Sequence, residues 1–499
     1  MVQKILFYLD FQFIHFYIAK YFQDQKAFDL FGIIDLNNKP KKFFEEQKIV
    51  QFKKCWYLRN GIQNNIEKPD LKYLKLFEEK YDINLWSIIY SERKFYPNFN
   101  EYHQFHYDEI LSILEKECKF FEKILDEINP NFLFINATDW HHMHLLTQLC
   151  KSKKIKVLML DLAKIGKRCQ IEENFEFLNF KTNDHVKNKT LEELQIYLKK
   201  DSRTSQAIAE TNEFSKLNMK KFRAIFELFF KNDKKYIQHY TNYGKTRLNI
   251  LYIESKIILK RLFREKFLNK KSISKLPENN KFIFFPLHFE PERVLLIDSP
   301  YYTNQLEVIT NIAKSLPVDY SLFVKDHPVM KSIGWRKISF YKEIIEMPNV
   351  ELLNPFIQTE EILKKCSLVI TISGTVAIEA AFYNKSSIVL GKFWGHTKLK
   401  SVFKVHNIEE LPNIIRKVLK KKIDISELND YVNWIEKNTF EFNHNRYVLD
   451  LWNQFYFGGS LVNVDISIKK MMSFLSKYKS ELDTVALEHL KKIEQNKIL

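Results

Sequence analysis

Short apolar blocks alternate with amphipathic stretches along this chain, the rhythm of an α/β protein in which strands are buried on both faces and helices on one. KILFYL (Lys4 to Leu9), FGIIDL (Phe31 to Leu36) and KIVQF (Lys48 to Phe52) predict the first strands. Asp108 to Ile128 then has helical period, and NFLFIN (Asn131 to Asn136) predicts a strand. A helix to about Ser152 follows, with Asp139 placed to cap it, and KVLMLD (Lys156 to Asp161) predicts the next strand. That order and spacing describe a right-handed parallel βαβ unit.

From about Leu217 to Leu268 the pattern is helical and basic, with Lys256, Lys260, Arg261, Arg264, Lys266, Lys270 and Lys271 interleaved among Ile253, Ile257, Ile258, Leu262, Phe263 and Phe267. KSISKLPENN (Lys271 to Asn280) reads as a linker. A second series follows: strands at KFIFFP (Lys281 to Pro286), SLFVK (Ser321 to Lys325), VELL (Val350 to Leu353), SLVITIS (Ser367 to Ser373) and SSIVL (Ser386 to Leu390). Helices separate them, at Asn304 to Ser315, near Tyr341, at Thr359 to Lys365 and at Thr375 to Asn384. This predicts a doubly wound sheet. The tail from about Ile425 reads as helical, its stretch from Ile466 to Leu499 as an amphipathic pair.

The expected organisation is a Rossmann-like lobe over 1–213, a basic helical linker over 214–280, a second Rossmann-like lobe over 281–425 and a helical tail over 426–499. Two such lobes place ligands in the cleft between them, outside the carboxyl ends of the strands.

Composition narrows the partners. The chain has 499 residues, 45% hydrophobic, enough for two cores. Its formal net charge of +17 implies an anionic partner: a nucleotide, an acidic glycan, a membrane surface or nucleic acid. Zinc spacing, RNP-like aromatics and a helix-turn-helix pattern are all missing, so nucleic acid is not expected. Five scattered cysteines without CxxC spacing point to a reducing compartment and away from a zinc site. No stretch reaches the roughly 18 apolar residues of a membrane span, and the amino-terminal run carries Asp10, Gln12 and His15 without a cleavage site. The expected location is the cytoplasm, at or near the inner face of its membrane, since the basic amphipathic stretch Ile253 to Lys271 suits peripheral contact with anionic lipid. The plainer reading is a helix packing its apolar stripe on the protein.

Candidate chemistry concentrates at two turns of the second lobe. Lys325-Asp326-His327-Pro328 follows one strand, with Pro328 stopping a helix from starting early, and Thr371-Ile372-Ser373-Gly374-Thr375 follows another and leads into a helix. Ser373 or Thr375 would cap that helix, Gly374 would admit a phosphate close to the backbone, and Lys325 and His327 would add donors and charge. PLHFEPE (Pro286 to Glu292) would project His288, Glu290 and Glu292 into the cleft, with Glu290 as a candidate catalytic carboxylate. In the first lobe Asp139 is the candidate base. His141, Lys167 and Arg168, with Lys164, would meet an anionic acceptor. For each there is a structural reading as well: a turn-capping His327, a helix-capping Ser373, Thr375 or Asp139, and solvated charges elsewhere. The His141, His142, His144 trio lacks an evident carboxylate partner, so no metal is expected.

PLHFEPE, YYTNQ (Tyr301 to Gln305), VKDHP (Val324 to Pro328) and TISGTVAIEAA (Thr371 to Ala381), in that order, resemble the capsular polysaccharide biosynthesis glycosyltransferases related to bacterial Kdo transferases. The resemblance covers about Lys281 to Gly391 well and the first lobe weakly, through NFLFINATDW and AKIGKR. It implies a GT-B fold, two Rossmann-like lobes facing a central cleft with extra helices in linker and tail, an acceptor lobe first and a donor lobe second. It also implies a CMP-sugar donor of Kdo-like or sialic-acid-like type, a glycan or glycolipid acceptor, no cofactor, and Glu379 on the ribose hydroxyls. Ser373-Gly374-Thr375 departs from the adjacent hydroxyls of related sialyltransferases, and their Asp-Gly acid/base motif is not evident. The competing readings are a CDP-glycerol or UDP-sugar enzyme of the same fold, a degenerate transferase, and a non-catalytic basic protein that binds membrane or nucleic acid.

Overall fold

A computed structural model describes residues 2–62, 68–163, 165–173, 189–200, 219–230, 239–278, 280–392, 399–421 and 423–496. Lys164 and part of the 214–280 linker lie outside the described residues.

Thirteen described strands form two sheets. The first contains β1 (Gln3–Leu9), β2 (Phe28–Ile34), β3 (Lys54–Tyr57), β4 (Phe132–Asn136), β5 (Lys156–Leu162), β6 (Arg168–Glu173) and β13 (Phe440–Glu441). Its order is β13-β6-β5-β4-β1-β2-β3, parallel from β5 to β3, with β6 antiparallel to β5 and β13 antiparallel to β6. The second contains β7 (Phe282–Pro286), β8 (Ser321–Lys325), β9 (Val350–Leu353), β10 (Leu368–Thr371), β11 (Ser387–Val389) and β12 (Val402–Lys404), all parallel in the order β12-β11-β10-β7-β8-β9. Each sheet is buried on both faces, which is why its strands read as unbroken apolar runs.

In both sheets the winding reverses beside the first strand, between β1 and β4 and between β7 and β10. Loops on either side of such a reversal diverge and leave a crevice at the carboxyl ends of the strands. These two crevices position everything that follows. Two Rossmann-like lobes of this kind are the fold expected from the sequence.

Three segments are placed differently from the expectation. KIVQF is not a strand: the Gln47 side chain accepts from the Ile49 and Val50 amides (2.8 and 2.9 Å), holding a turn there, and pairing begins only at Lys54. The helix Leu191–Lys200, expected within the first lobe, packs Leu194 into the core of the second. The tail divides, with Ile425–Asn438 covering the second sheet and the helices His444–Phe455, Ile468–Lys477 and Lys479–Gln495 covering the first. Tyr447 and Tyr456 donate to the carbonyls of Gln12 and Phe11 (2.7 and 3.0 Å), so the tail braces the loop after β1. Among the described residues no helix is long and apolar enough to cross a membrane. The five cysteines are unbridged, and four of them are buried.

Candidate active site

The β7/β10 crevice is closed at its base by His288, the second residue beyond β7. Its Nε2 lies 3.3 Å from the Ser373 amide and 3.4 Å from Thr371 Oγ1, and its Nδ1 lies 3.8 Å from a Glu292 oxygen. An amide can only donate, so Nε2 accepts and a neutral His288 carries its proton on Nδ1, toward Glu292. His288 thus joins PLHFEPE to TISGT. Gly374 is needed for this junction: a Cβ there would sit 2.7 Å from Thr371 Oγ1, which already accepts the Gly374 amide at 3.1 Å.

His327 stands on the neighbouring loop. Its Nδ1 accepts the Val329 amide at 3.3 Å, capping a 3-10 turn that Pro328 begins. Burial lowers its pKa, against opposing pulls from Glu292 and Asp326. A neutral ring accepting at Nδ1 must carry its proton on Nε2, so His327 both caps the turn and keeps a donor.

Several residues expected at this phosphate site are committed elsewhere. Lys325 is buried, with Nζ on the Ile357 carbonyl (3.1 Å) and Thr359 Oγ1 (2.8 Å), and burial pushes its pKa down to about 8. It ties the end of β8 to the loop and helix that follow β9 rather than facing the crevice. Glu290 is 2.7 Å from Arg336 Nη1, and Arg336 also reaches Asp326 (3.1 Å) and the His288 carbonyl (2.5 Å). A carboxylate held by a buried guanidinium is a structural strut, not a proton acceptor. Ser373 and Thr375 do not cap through their side chains. Ser373 Oγ bonds the Lys392 carbonyl (2.7 Å) and Ser299 (2.8 Å), Thr375 Oγ1 donates to Glu379 (3.0 Å), and the helix is only Val376–Ala381. Glu379 therefore stands beside Thr375 at the crevice, with Lys325 near enough to feel its charge.

The β1/β4 crevice carries carboxylates. Asp10, directly after β1, accepts from Asn136 at the end of β4 (2.7 Å) and from the Gln12 amide (2.9 Å). Burial nevertheless raises it to about 6. Asp139 is exposed on the wall between the lobes, and its crowded surroundings raise its pKa against the pull of Arg93 and Arg293. It is not a helix cap, because the following helix, His141–Ser152, takes Trp140 at that position.

Two cavities meet at Asp139. One, of about 310 Å³, is walled by Gln12, Asp139 and Asp161 from the first lobe and by Phe289, Glu292 and Arg293 from the second. The other, of about 210 Å³, runs into the first lobe past Asp10, Asp35, Arg59, Lys94 and Lys245. Burial and the nearby Lys94 and Arg59 charges push Lys245 down to about 7, and burial lowers Lys94.

The expected acceptor residues lie away from these cavities. His141 is fully buried, its two ring nitrogens 2.6 Å from Glu92 and 2.7 Å from Glu117. These are the carboxylate partners the sequence did not reveal, and they hold the imidazole protonated, with its pKa raised to about 10 and that of Glu92 lowered to about 2. His142 lies near enough to Glu117 and His141 for the three to offer a cation ligands, yet its nitrogens already face Tyr240 (3.2 Å) and Tyr8 (2.9 Å) hydroxyls. Arg168 binds Thr439 Oγ1 (2.6 Å) and the carbonyls of Glu436 (3.0 Å) and Thr439 (2.5 Å), fastening the β6 edge to the tail. Lys167 gives its carbonyl to the Phe442 amide in the same junction.

Asp10, Arg59, Lys94, Lys245 and Arg293 were not anticipated. Only Asp10 had a signal, a carboxylate ending the first buried strand. The others are brought in by turns and the linker, where spacing carries no information.

Residues 184–414 match the model of a family described as capsule polysaccharide biosynthesis protein. This agrees with the resemblance read from PLHFEPE, VKDHP and TISGT. No curated protein matches. Among solved structures, the chain is similar to the β-Kdo 2,7 transferase of Thermosulfurimonas dismutans KpsC, at 11% identity over 67% of this chain and 89% of that one, with a TM-score of 0.30. It is also similar to the β-Kdo 2,4 transferase of the same KpsC, at 9% identity over 61% and 79%, TM-score 0.32. A third is the UDP-GlcNAc 2-epimerase of Methanocaldococcus jannaschii, at 12% identity over 87% and 99%, TM-score 0.24. Likeness at these scores adds nothing to what the two sheets themselves show.

Proposed function

We propose, from the capsule polysaccharide biosynthesis match over residues 184–414 and from the two facing crevices, that this protein is a GT-B glycosyltransferase of surface polysaccharide assembly. It moves an acidic sugar, Kdo-like or sialic-acid-like, from a CMP-linked donor to a glycan or glycolipid acceptor. The observation that carries the reading is the pair of cavities that share Asp139, one walled by the second lobe's Glu292 and Arg293 and the other lined in the first lobe by Lys94 and Lys245 beside Asp10 and Asp35.

In the reaction the bond from the anomeric carbon to the donor phosphate breaks, CMP leaves, and the acceptor oxygen takes its place. Asp139 receives the acceptor proton, for which a carboxyl raised toward neutrality is better matched than an ordinary one. Negative charge grows on the departing phosphate, where His327 Nε2–H donates and the Thr375 amide, at the end of the turn anchored on His288, supplies a further hydrogen bond. Glu379 holds the ribose. Lys94 and Lys245 take a negative group on the acceptor, beside Arg59, which is paired with Asp35 (2.8 Å). In this reading the phosphate is held by hydrogen-bond donors, without a divalent ion.

Calorimetric titration with CMP, CDP and UDP in EDTA tests this. The expected result is preferential CMP binding that weakens in His327→Ala. Equal affinity for the three nucleotides, or binding only after magnesium is restored, overturns the donor assignment.

A further inference from the structure

The helix Arg247–Lys271 presents apolar side chains on two opposite faces, whereas an ordinary surface helix has one. One face is used within the protein. Ile253 and Leu268 are buried, Lys256 and Lys260 pair with Glu101 of the first lobe, and Arg264 donates to the carbonyls of Gly334 (3.1 Å) and Trp335 (2.6 Å) of the second. The helix is a strap across both lobes. The opposite face carries Leu248, Tyr252, Leu259, Leu262 and Phe263, at helical spacing, each 57–76% exposed.

A second helix repeats the arrangement. Met219–Phe230 turns Lys220, Ala224 and Leu228 inward, with Lys220 Nζ 2.7 Å from Asn453 of the tail. Phe222, Phe226 and Phe230 form its outer row, 55–74% exposed. Lys221 lies within electrostatic reach of Glu254 and Arg261 of the strap.

We propose that these outer rows dock on the surface of an anionic lipid bilayer, lying in the interface without spanning it. Charge decides between this occupant and a second copy of the chain. Of the strap's eight Lys and Arg, Lys256, Lys260 and Arg264 serve the inner face, which leaves five against two Glu, and its neighbour has three against one. A symmetric dimer through this face would bring two such surfaces together and repel, while an acidic headgroup layer complements them. Exposed Lys266 and Lys270 continue along the strap, placed to meet headgroups as the leucines and aromatics enter the acyl boundary. Docking through the strap would hold the cleft at a fixed height above the membrane, where a lipid-linked acceptor is anchored. That consequence rests on the function proposed above, but the docking itself does not.

Co-sedimentation of the full chain with vesicles of phosphatidylcholine plus phosphatidylglycerol, and of phosphatidylcholine alone, tests the proposal. The expected result is binding to the mixed vesicles only, weakened roughly tenfold or more in Leu259→Ser/Phe263→Ser and made weaker and less salt-sensitive in Lys266→Glu/Lys270→Glu. Absence of binding to the anionic vesicles, or binding that both double variants leave unchanged, overturns it. So does a concentration-dependent dimer in analytical ultracentrifugation that Leu259→Ser/Phe263→Ser abolishes, because the face would then belong to a second copy. CMP calorimetry on the same preparations reads the second-lobe crevice independently, so failure of docking and failure of the transferase reading are told apart.

Discussion

The two walls of the cleft differ in how they spend their polar residues. On the second-lobe wall most motif side chains bond to their own lobe: Lys325 to Ile357 and Thr359, Glu290 to Arg336, Ser373 to Ser299 and Lys392. On the first-lobe wall Asp10 and Asp139 line open cavities with their pKa values raised, and Lys94 and Lys245 line one of them with theirs lowered. One wall is a cradle whose polar side chains hold its own shape, the other a set of side chains with shifted pKa values lining open cavities. A motif therefore locates the loops of a site more reliably than it names the atoms that face the ligand.

The largest expected effect separates the first-lobe wall from its foundation. His141→Leu leaves Glu92 and Glu117 buried without their cation, which costs about 3–5 kcal/mol, read as a fall in the urea midpoint. The same clamp sets a pH dependence. The folded pKa of His141, about 10, lies above its ordinary 6.5, so its contribution to stability is full below about 6.5 and is lost as pH rises toward 10. Glu92, lowered to about 2, contributes above its ordinary 4.5 and loses that contribution as pH falls toward 2. The alkaline loss should vanish in His141→Leu.

Asp139→Asn comes next. Turnover, followed as CMP release from a CMP-sugar with acceptor, is expected to fall about 10²–10⁴-fold while CMP affinity stays at the wild-type value. A larger fall in Asp10→Asn would move the base one strand inward, to the β1/β4 crevice itself. A smaller effect checks the second wall: Lys325→Met is expected to change CMP affinity by less than about threefold, because its ammonium serves the fold. Loss of affinity beyond tenfold would return Lys325 to the phosphate. The smallest is Thr375→Ala, which removes one hydrogen bond to Glu379 and is expected to cost about 1 kcal/mol of stability or less in thermal melts.

Periodicity was enough for the central strands of both sheets, because strands buried on both faces must be apolar throughout. Ser321–Lys325, Val350–Leu353 and Thr359–Lys365 fall where the pattern put them. It fails at the edges: KIVQF falls ahead of β3, and β12 is not predicted. β6 and β13 have too few apolar residues to stand out: β6 pairs with its neighbour β5, and β13 exists because Phe440 and Glu441 meet Cys169 and Arg168 from the far end of the chain. The same limit hid the site's electrostatics. Nothing in His141-His142-Met143-His144 shows that Glu92 and Glu117 converge on the first histidine, or that Arg336 claims Glu290. His288 and His327 were legible as site residues because they follow strand ends directly, but their tautomers come only from the amides of Ser373 and Val329.

A crystal structure of the protein soaked with CMP tests the central claim most directly. The account predicts the phosphate in the crevice between β7 and β10, within hydrogen-bond distance of His327 Nε2 and of the turn from Ser373 to Thr375, with the ribose toward Glu379. Nucleotide bound only outside that crevice, or His327 turned away from an occupied one, would contradict it.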